Sequence, residues 1–327
     1  RMTKVLAMMS GGLDSTLAAK IIKGQGIEVI GLCFKSHFFN ANNAIRMAKQ
    51  INIPLEVVDF THAHFEMVKH PKHGYGKNMN PCIDCHAMMM NYTGKLLEKY
   101  NADFIITGEV LNQRPMSQNR CALDIVKNDS GFKDKILRPL CAKNLIPTQM
   151  EISGLVDRER LMDIKGRSRK EQMQLASKLS IVDYPSPAGG CKLTEPGYAK
   201  RLKDLLELNV DPTYNEIQLL KLGRHFRMSK DCRIISTRTG DEAVEIKSFL
   251  EEGYMLFFAE EFNGSMVIII GKPKDIDIEF AARVTARYSK GKENKKVKIK
   301  YGQFKQLINN HIEVEPALDE ELSKYMI

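Results

Sequence analysis

Seven residues constrain this chain most: Ser10-Gly11-Gly12-Leu13-Asp14-Ser15-Thr16, entered from the apolar run Val5 to Met9 and followed by the helical run Leu17 to Ile22. The pattern reads as a strand, a glycine turn and the start of a helix. Adjacent glycines let successive backbone N–H groups point at one anion, and the helix dipole and the Ser15 and Thr16 hydroxyls face the same place. Such a loop cradles phosphate. A Walker loop would put a Gly-Lys pair before the Ser or Thr; Leu13-Asp14 stands there instead, which disfavours simple γ-phosphate transfer. A bare turn would need neither the hydroxyls nor Asp14.

Downstream, apolar runs at Glu28 to Phe34, Leu55 to Phe60 and Phe104 to Thr107 alternate with helical stretches at Ala41 to Gln50 and His86 to Tyr100. This rhythm predicts an α/β fold, a doubly wound, mostly parallel sheet covered on both faces. Ligands of such sheets lie beyond the carboxyl ends of the strands. Ser10 to Ser15, Phe34-Lys35-Ser36 and Thr107-Gly108-Glu109 all follow strand ends, so they converge on one crevice. Phe34 falls where an adenine could stack or meet backbone groups, or else simply closes its strand in the core.

A chain of 327 residues exceeds what one core usually supports and implies at least two domains. Its formal net charge of +9 favours an anionic partner larger than a nucleotide, nucleic acid first. No apolar run is long enough to span a membrane and no secretory signal is evident, so a cytoplasmic protein is expected.

The seven cysteines are an odd number, which with no secretory signal argues for reduced thiols rather than a disulfide scaffold. Cys82 and Cys85 stand three positions apart at the start of a helical stretch, in Asn80-Pro81-Cys82-Ile83-Asp84-Cys85-His86, and Cys191 ends the glycine loop Pro187-Ala188-Gly189-Gly190. Cys33, Cys121, Cys141 and Cys232 lack such a setting, and Cys33 reads as a small core residue. Four readings of the trio stand open: a zinc site completed by His86, c-type haem attachment, a metal-free persulfide and disulfide pair, and an iron–sulfur cluster with one open iron.

Taken together, the phosphate loop, the Asn80 to Cys85 segment, Thr107-Gly108-Glu109-Val110-Leu111-Asn112-Gln113 with Ser117-Gln118, and Leu137-Arg138-Pro139-Leu140 resemble the PP-loop ATP pyrophosphatases that thiolate tRNA. The Gly-Glu-x-Leu-x-Gln and Arg-Pro-Leu elements resemble the 4-thiouridine synthetases, and Asn-Pro-Cys resembles the 2-thiouridylases. The resemblance covers about two thirds of the chain and implies adenylation chemistry with ATP and Mg2+. It implies ATP contacts at Ser10, Gly11, Gly12, Asp14, Ser15, Thr16, Phe34 and Gly108, with Asp14 holding magnesium or orienting phosphates. By the iron–sulfur branch of this superfamily it further implies a [4Fe-4S] cluster on Cys82, Cys85 and Cys191, whose open iron delivers sulfide. Without a cluster, Cys85 and Cys191 become the persulfide and resolving residues.

The expected product is 4-thiouridine at position 8 of tRNA, with 2-thiouridine as the alternative and an amide-forming synthetase with structural zinc as a different class. The sulfur donor is sulfide or a donor such as a cysteine desulfurase, and assembly as a homodimer stays open. Two features depart from the 4-thiouridine synthetases. The sequence shows no N-terminal RNA-binding extension or rhodanese tail, and Met88-Met89-Met90-Asn91 stands where several such enzymes carry a lysine.

From about Thr213 the pattern turns to short strands: Met255 to Phe258 and Val267 to Ile270 flank Asn263-Gly264, read as a hairpin turn, with a helix over Ile276 to Tyr288 and a strand over Lys298 to Tyr301. Leu222 to Arg227 and Ala286 to Lys290 resemble the small RNA-binding domain NFACT-R. Expected tRNA contacts are Arg224, Arg227, Arg287, Lys290 and Lys292, which position RNA by its phosphates. The expected layout is a catalytic domain over 1–185, a connecting segment over 186–215 carrying Cys191, and a smaller α+β RNA-binding domain over 216–327.

Overall fold

The structure is a computed structural model that describes residues 1–187 and 190–327. The chain divides into two compact units, Arg1–Thr194 and Glu195–Ile327. The segment expected as a connection is therefore shared: Cys191 belongs to the first unit, and a helix over Pro196–Leu208 to the second.

The first unit runs β1 (Lys4–Met8), α1 (Leu13–Gly24), β2 (Glu28–Lys35), α2 (Asn42–Gln50), β3 (Leu55–Asp59), α3 (Thr61–Lys69), α4 (Cys82–Leu96), β4 (Phe104–Ile106), α5 (Arg120–Asp129), β5 (Ile136–Leu137), α6 (Gln149–Ile152) and α7 (Lys170–Lys178). The strands form one parallel sheet in the order β3-β2-β1-β4-β5. Alternation along β1 fills both faces. Val5 and Ala7 pack in one buried cluster with residues of α1 and α2, while Leu6 packs in another with Met90 of α4 and Val126 of α5. Strand order reverses between β1 and β4, and a doubly wound sheet opens its binding crevice there.

That crevice is shaped by two glycines. Gly11 has φ +90°, and a Cβ on it would lie 2.6 Å from the Ala44 backbone nitrogen in the first turn of α2. A Cβ on Gly108 would lie 2.4 Å from the backbone nitrogen of Ser15. The two approaches clamp the phosphate loop between α2 and the end of β4. α4 begins at Cys82, earlier than the sequence pattern predicts, so both cysteines of the pair sit in its first turn.

The second unit comprises α8 (Pro196–Leu208), α9 (Tyr214–Leu219), β6 (Arg224–Ser229), β7 (Cys232–Ser236), α10 (Gly240–Glu245), β8 (Met255–Ala259), β9 (Val267–Gly271), α11 (Asp275–Arg287), β10 (Val297–Gln303), β11 (Asn310–Val314) and α12 (Asp319–Tyr325). Its antiparallel sheet is ordered β11-β10-β8-β9-β7-β6, and α11 packs on it through Phe280, Ala281 and Val284. Asn263-Gly264 is not a tight hairpin turn. The β8–β9 ladder stops at Phe257↔Val267, and Gly264 bridges Ser289 instead. No helix among the described residues is long and apolar enough to cross a membrane.

The Gly11 constraint is testable against Gly24, which ends α1 and where an added Cβ would have nothing within 4 Å. Gly11→Ala should lower stability by more than about 1 kcal/mol, because it meets both a left-handed φ and a backbone clash. Gly24→Ala should be neutral or slightly stabilising. Urea titration of both variants checks this, and equal midpoints would contradict it.

Candidate active site

The phosphate loop is poised but folded onto itself. Gly12 caps α1 without a side-chain partner, and the Thr16 and Ser15 hydroxyls donate to the Gly12 carbonyl at 2.9 and 3.2 Å. Ser10 Oγ accepts from the Gly12 N–H at 3.3 Å and lies 3.3 Å from Ser15 Oγ. Amides of the first helical turn have no intrahelical acceptor, so they remain available to an anion. Asp14 Oδ1 is buried with no hydrogen-bond partner. Burial raises the Asp14 pKa above the usual carboxylate range, while Arg169 and then Arg114 pull it back. An orphaned, half-buried carboxylate oxygen beside free amides suits a hydrated divalent cation carried in with a nucleotide.

Gly108, on the loop itself, leads into Glu109, which the structure places at the centre of a buried network. Glu109 Oε1 accepts from Arg138 Nε and from the Thr107 hydroxyl, each at 3.0 Å, and His86 Nδ1 faces Oε2 at 3.5 Å. Arg138 also donates to the Leu123 carbonyl at 2.9 Å. Burial by itself raises the Glu109 pKa, but the Arg138 guanidinium and the His86 contact outweigh it and hold the acid at about 2. His86 thus turns toward Glu109, which removes it from a zinc site with the neighbouring cysteines.

Of the three cysteines expected to act together, Cys85 lies near enough to Cys82 and Cys191 for their charge to act on its thiol. None of the three is in a disulfide; Cys85 is buried and Cys82 and Cys191 are partly exposed. Burial pushes the Cys85 thiol well above its ordinary pKa, and the nearby Cys191 and Cys82 sulfurs push it further. Burial also raises Cys82, which Arg114 and a hydrogen bond from Asn80 partly offset. The Cys191 segment is pinned by Lys192 N–H to the Phe38 carbonyl at 3.1 Å and by the Asn78 side chain to the Thr194 carbonyl at 2.7 Å. Ala188 and Gly189 of the expected glycine loop lie outside the described residues. Among the described residues, no three His, Cys, Asp or Glu side chains are gathered as one metal ion would require.

Sequence reasoning missed His64. Its Nε2 lies 3.2 Å from Cys85 Sγ, it is fully buried, and its ring packs 4.8 Å from Phe60 and 5.2 Å from Phe39. Burial, and then the neighbouring His37, lower its pKa to about 4, so the ring is neutral near pH 7. Nothing in the surrounding Thr61 to Lys69 sequence signals this role, because the pairing spans α3 and α4. Phe34 is placed differently from the adenine-stacking expectation. Its ring is buried 4.9 Å from Phe60 and edge-on to Tyr92, as a residue closing its strand in the core.

In the second unit the expected RNA contacts differ among themselves. Arg227 binds Asp204 through several bonds, the shortest 2.6 Å, and Arg287 pairs with Asp319 at 2.6 Å. Arg224 stacks over Tyr288 with its guanidinium carbon 4.1 Å from the ring centre. Lys290 and Lys292 are exposed and, among the described residues, form no ion pair.

Comparison with known proteins follows the same division. Residues 2–148 match the family described as Thiamine biosynthesis protein (ThiI), and residues 223–326 match the NFACT protein RNA binding domain. A tRNA-specific 2-thiouridylase of Fusobacterium nucleatum is 28% identical over 220 residues, 63% of this chain and 59% of that protein. One of Clostridium acetobutylicum is 36% identical over 124 residues, 32% of this chain and 35% of that protein. The chain therefore spans little more than half, or less, of these curated relatives. A solved 4-thiouridine synthetase–RNA complex with bound ATP aligns at 18% identity and TM-score 0.35, over 55% of this chain and 52% of that one. Each of the two matched regions covers less than half of the chain, residues 2–148 resembling the ThiI family and residues 223–326 the NFACT domain.

The buried network yields a stability prediction. A carboxylate with a depressed folded pKa stabilises the fold above its unfolded pKa, about 4.3, and that stabilisation is lost as pH falls toward about 2. Glu109→Gln leaves Arg138 buried without its charge partner and should cost about 3–5 kcal/mol at pH 7. The acid limb of the stability profile should flatten with it. A loss under about 1 kcal/mol with an unchanged acid limb would contradict the assignment.

Proposed function

We propose that this protein is an ATP-dependent tRNA uridine thiolase. The observation that carries the reading is the presence, within one unit, of a phosphate loop lacking the Walker lysine and of Cys82 and Cys85 in the first turn of α4, with Cys191 near enough to act on the Cys85 thiol. The two family matches and the names of the curated relatives support tRNA as the substrate.

A uridine carbonyl oxygen attacks the α-phosphate of ATP, and pyrophosphate leaves. The first-turn amides, with the Ser15 and Thr16 hydroxyls swung off the Gly12 carbonyl, receive the departing charge. Asp14 holds the magnesium that accompanies the phosphates. Sulfur then attacks the activated uridine carbon and AMP leaves with the uridine oxygen.

Cys85, whose anion is disfavoured by burial and by the nearby Cys191 and Cys82 sulfurs, belongs to a donor set that a cationic centre would stabilise as thiolates. A single zinc ion, with Zn–S near ~2.3 Å, needs its sulfurs closer together than a multi-iron cluster does. By the sequence resemblance, Cys82, Cys85 and Cys191 are the residues that would hold a [4Fe-4S] cluster, although no three His, Cys, Asp or Glu side chains among the described residues are gathered for a metal ion. Such a cluster, when bound, would supply an open iron for sulfide. The chain's own contribution is to hold its sulfurs, with the His64 contact fixing the Cys85 side chain.

Of the two uridine products, 2-thiouridine is supported by the names of the curated relatives. The Gly-Glu-x-Leu-x-Gln and Arg-Pro-Leu elements favour 4-thiouridine as the second reading. The test is anaerobic incubation of the full chain with ATP, Mg2+, sodium sulfide and unmodified tRNA, followed by mass spectrometry of nucleosides against authentic 2-thio- and 4-thiouridine. A thiouridine that requires ATP is expected. Asp14→Ala should abolish AMP formation with the fold intact, and Cys82→Ala, Cys85→Ala or Cys191→Ala should abolish thiouridine while sparing AMP formation. ATP-independent thiolation, or AMP release that Asp14→Ala leaves unchanged, would overturn the reading.

The RNA-binding role makes a separate prediction. Replacing Lys290 and Lys292 by Ala should weaken tRNA binding and reduce the salt slope by about one unit per lost phosphate contact. Arg227→Ala should chiefly lower stability, since that side chain is held by Asp204. Wild-type affinity and salt dependence in the double lysine variant would show the run to be only a solvated face.

A further inference from the structure

A phosphate loop without a lysine leaves a question of charge: which cations face the triphosphate? Two loops meet above the phosphate loop and each brings an arginine. The first, Val110 to Gln118, starts directly beyond Gly108 and is closed by the Asn112 N–H to the Gln118 carbonyl at 2.7 Å and the Gln118 N–H to the Arg114 carbonyl at 2.9 Å. The second runs from Lys165 into α7 and carries Arg169 at the helix N-cap.

These two segments are bonded together. Leu111 pairs with Lys165 as a parallel bridge, and the Gly166 N–H donates to the Leu111 carbonyl at 2.8 Å. Gln172, fully buried, donates to the Gln113 side chain at 2.9 Å. Arg114 and Arg169 are the cations whose charge reaches Asp14, and Arg114 reaches Cys82 as well. Arg114 is thus within electrostatic reach of both the phosphate loop and Cys82. Among the described residues neither guanidinium forms an ion pair, so the two arginines outnumber the one carboxylate they face.

We propose that Arg114 and Arg169 are the phosphate-binding cations of this site, doing together what the missing loop lysine does elsewhere, and that Arg114, within reach of both the loop and Cys82, serves both half-reactions. The proposal rests on the adenylation reading above. In the first half-reaction the bond from the α-phosphorus to the bridging oxygen breaks as the uridine oxygen bonds to phosphorus, and Arg169 with Arg114 takes up the charge of the pyrophosphate. In the second, Arg114 steadies the α-phosphate while sulfur displaces AMP. No proton or electron passes through either guanidinium.

The experiment uses the full chain with Mg-ATP, sodium sulfide and unmodified tRNA, reading AMP and thiouridine separately, and Mg-ATP binding by equilibrium titration. Arg169→Gln should weaken Mg-ATP binding and slow AMP formation about 10²–10³-fold, the usual cost of removing one charge-stabilising donor. Arg114→Gln should slow AMP formation too and, in addition, lower thiouridine formed per AMP at least ~10-fold. Arg→Lys at either position, or added guanidinium with the Arg→Ala variants, should restore part of kcat, which a purely structural role would not allow. Gln variants with wild-type ATP affinity, kcat and coupling overturn the proposal, as does loss that neither Lys nor guanidinium rescues. ATP titration reads the arginines even if the wild-type chain makes no thiouridine, an outcome that would count against the thiolation reading instead.

Discussion

The geometry of the site depends on one buried carboxylate. Glu109 follows the strand whose glycine backs onto the phosphate loop, binds Arg138 beyond the next strand, and faces His86, the residue after Cys85. Through those contacts a single side chain fixes the end of β4 and the first turn of α4 relative to each other. A buried ion pair of this kind is costly to assemble, and replacing it with apolar residues can be neutral for stability. Its use here is to set position: the first turn of α4 and the phosphate loop are tied to the same end of the sheet.

Around that frame, the reacting groups are kept in states that a ligand would improve. Asp14 carries an orphaned oxygen, the loop hydroxyls are turned back on the Gly12 carbonyl, and Cys85 sits where its own anion is disfavoured by burial and by two further sulfurs. Each is a local cost to folding that, under the proposed function, binding of a metal-nucleotide or a cationic centre would reverse. Sites built for charge stabilisation commonly carry such costs, because groups that are already satisfied have nothing left to offer a substrate.

Much of the first unit was legible because its signals are local. Alternating apolar runs gave the strands β1 to β4, and the paired glycines gave the loop, since only glycine fits a left-handed φ against another backbone. The two-residue β5 was too short to carry a pattern. Asn263-Gly264 misled because the same dipeptide that makes a tight turn can also allow close approach, here to Ser289. The residues that sequence could not reveal, His64, Arg114 and Arg169, share one property. Each acts on a partner brought near only by the packing of separate elements, so neither spacing nor composition marks it.

The central claim is that the uridine oxygen becomes part of AMP. Transfer RNA carrying 18O at the uridine carbonyl, incubated with the protein, ATP and sulfide, puts that claim directly to measurement by mass spectrometry of the recovered AMP. The account predicts one 18O atom in AMP for each thiouridine formed. Unlabelled AMP accompanying thiouridine would contradict it, since the oxygen would then have left without ever being bonded to the α-phosphorus.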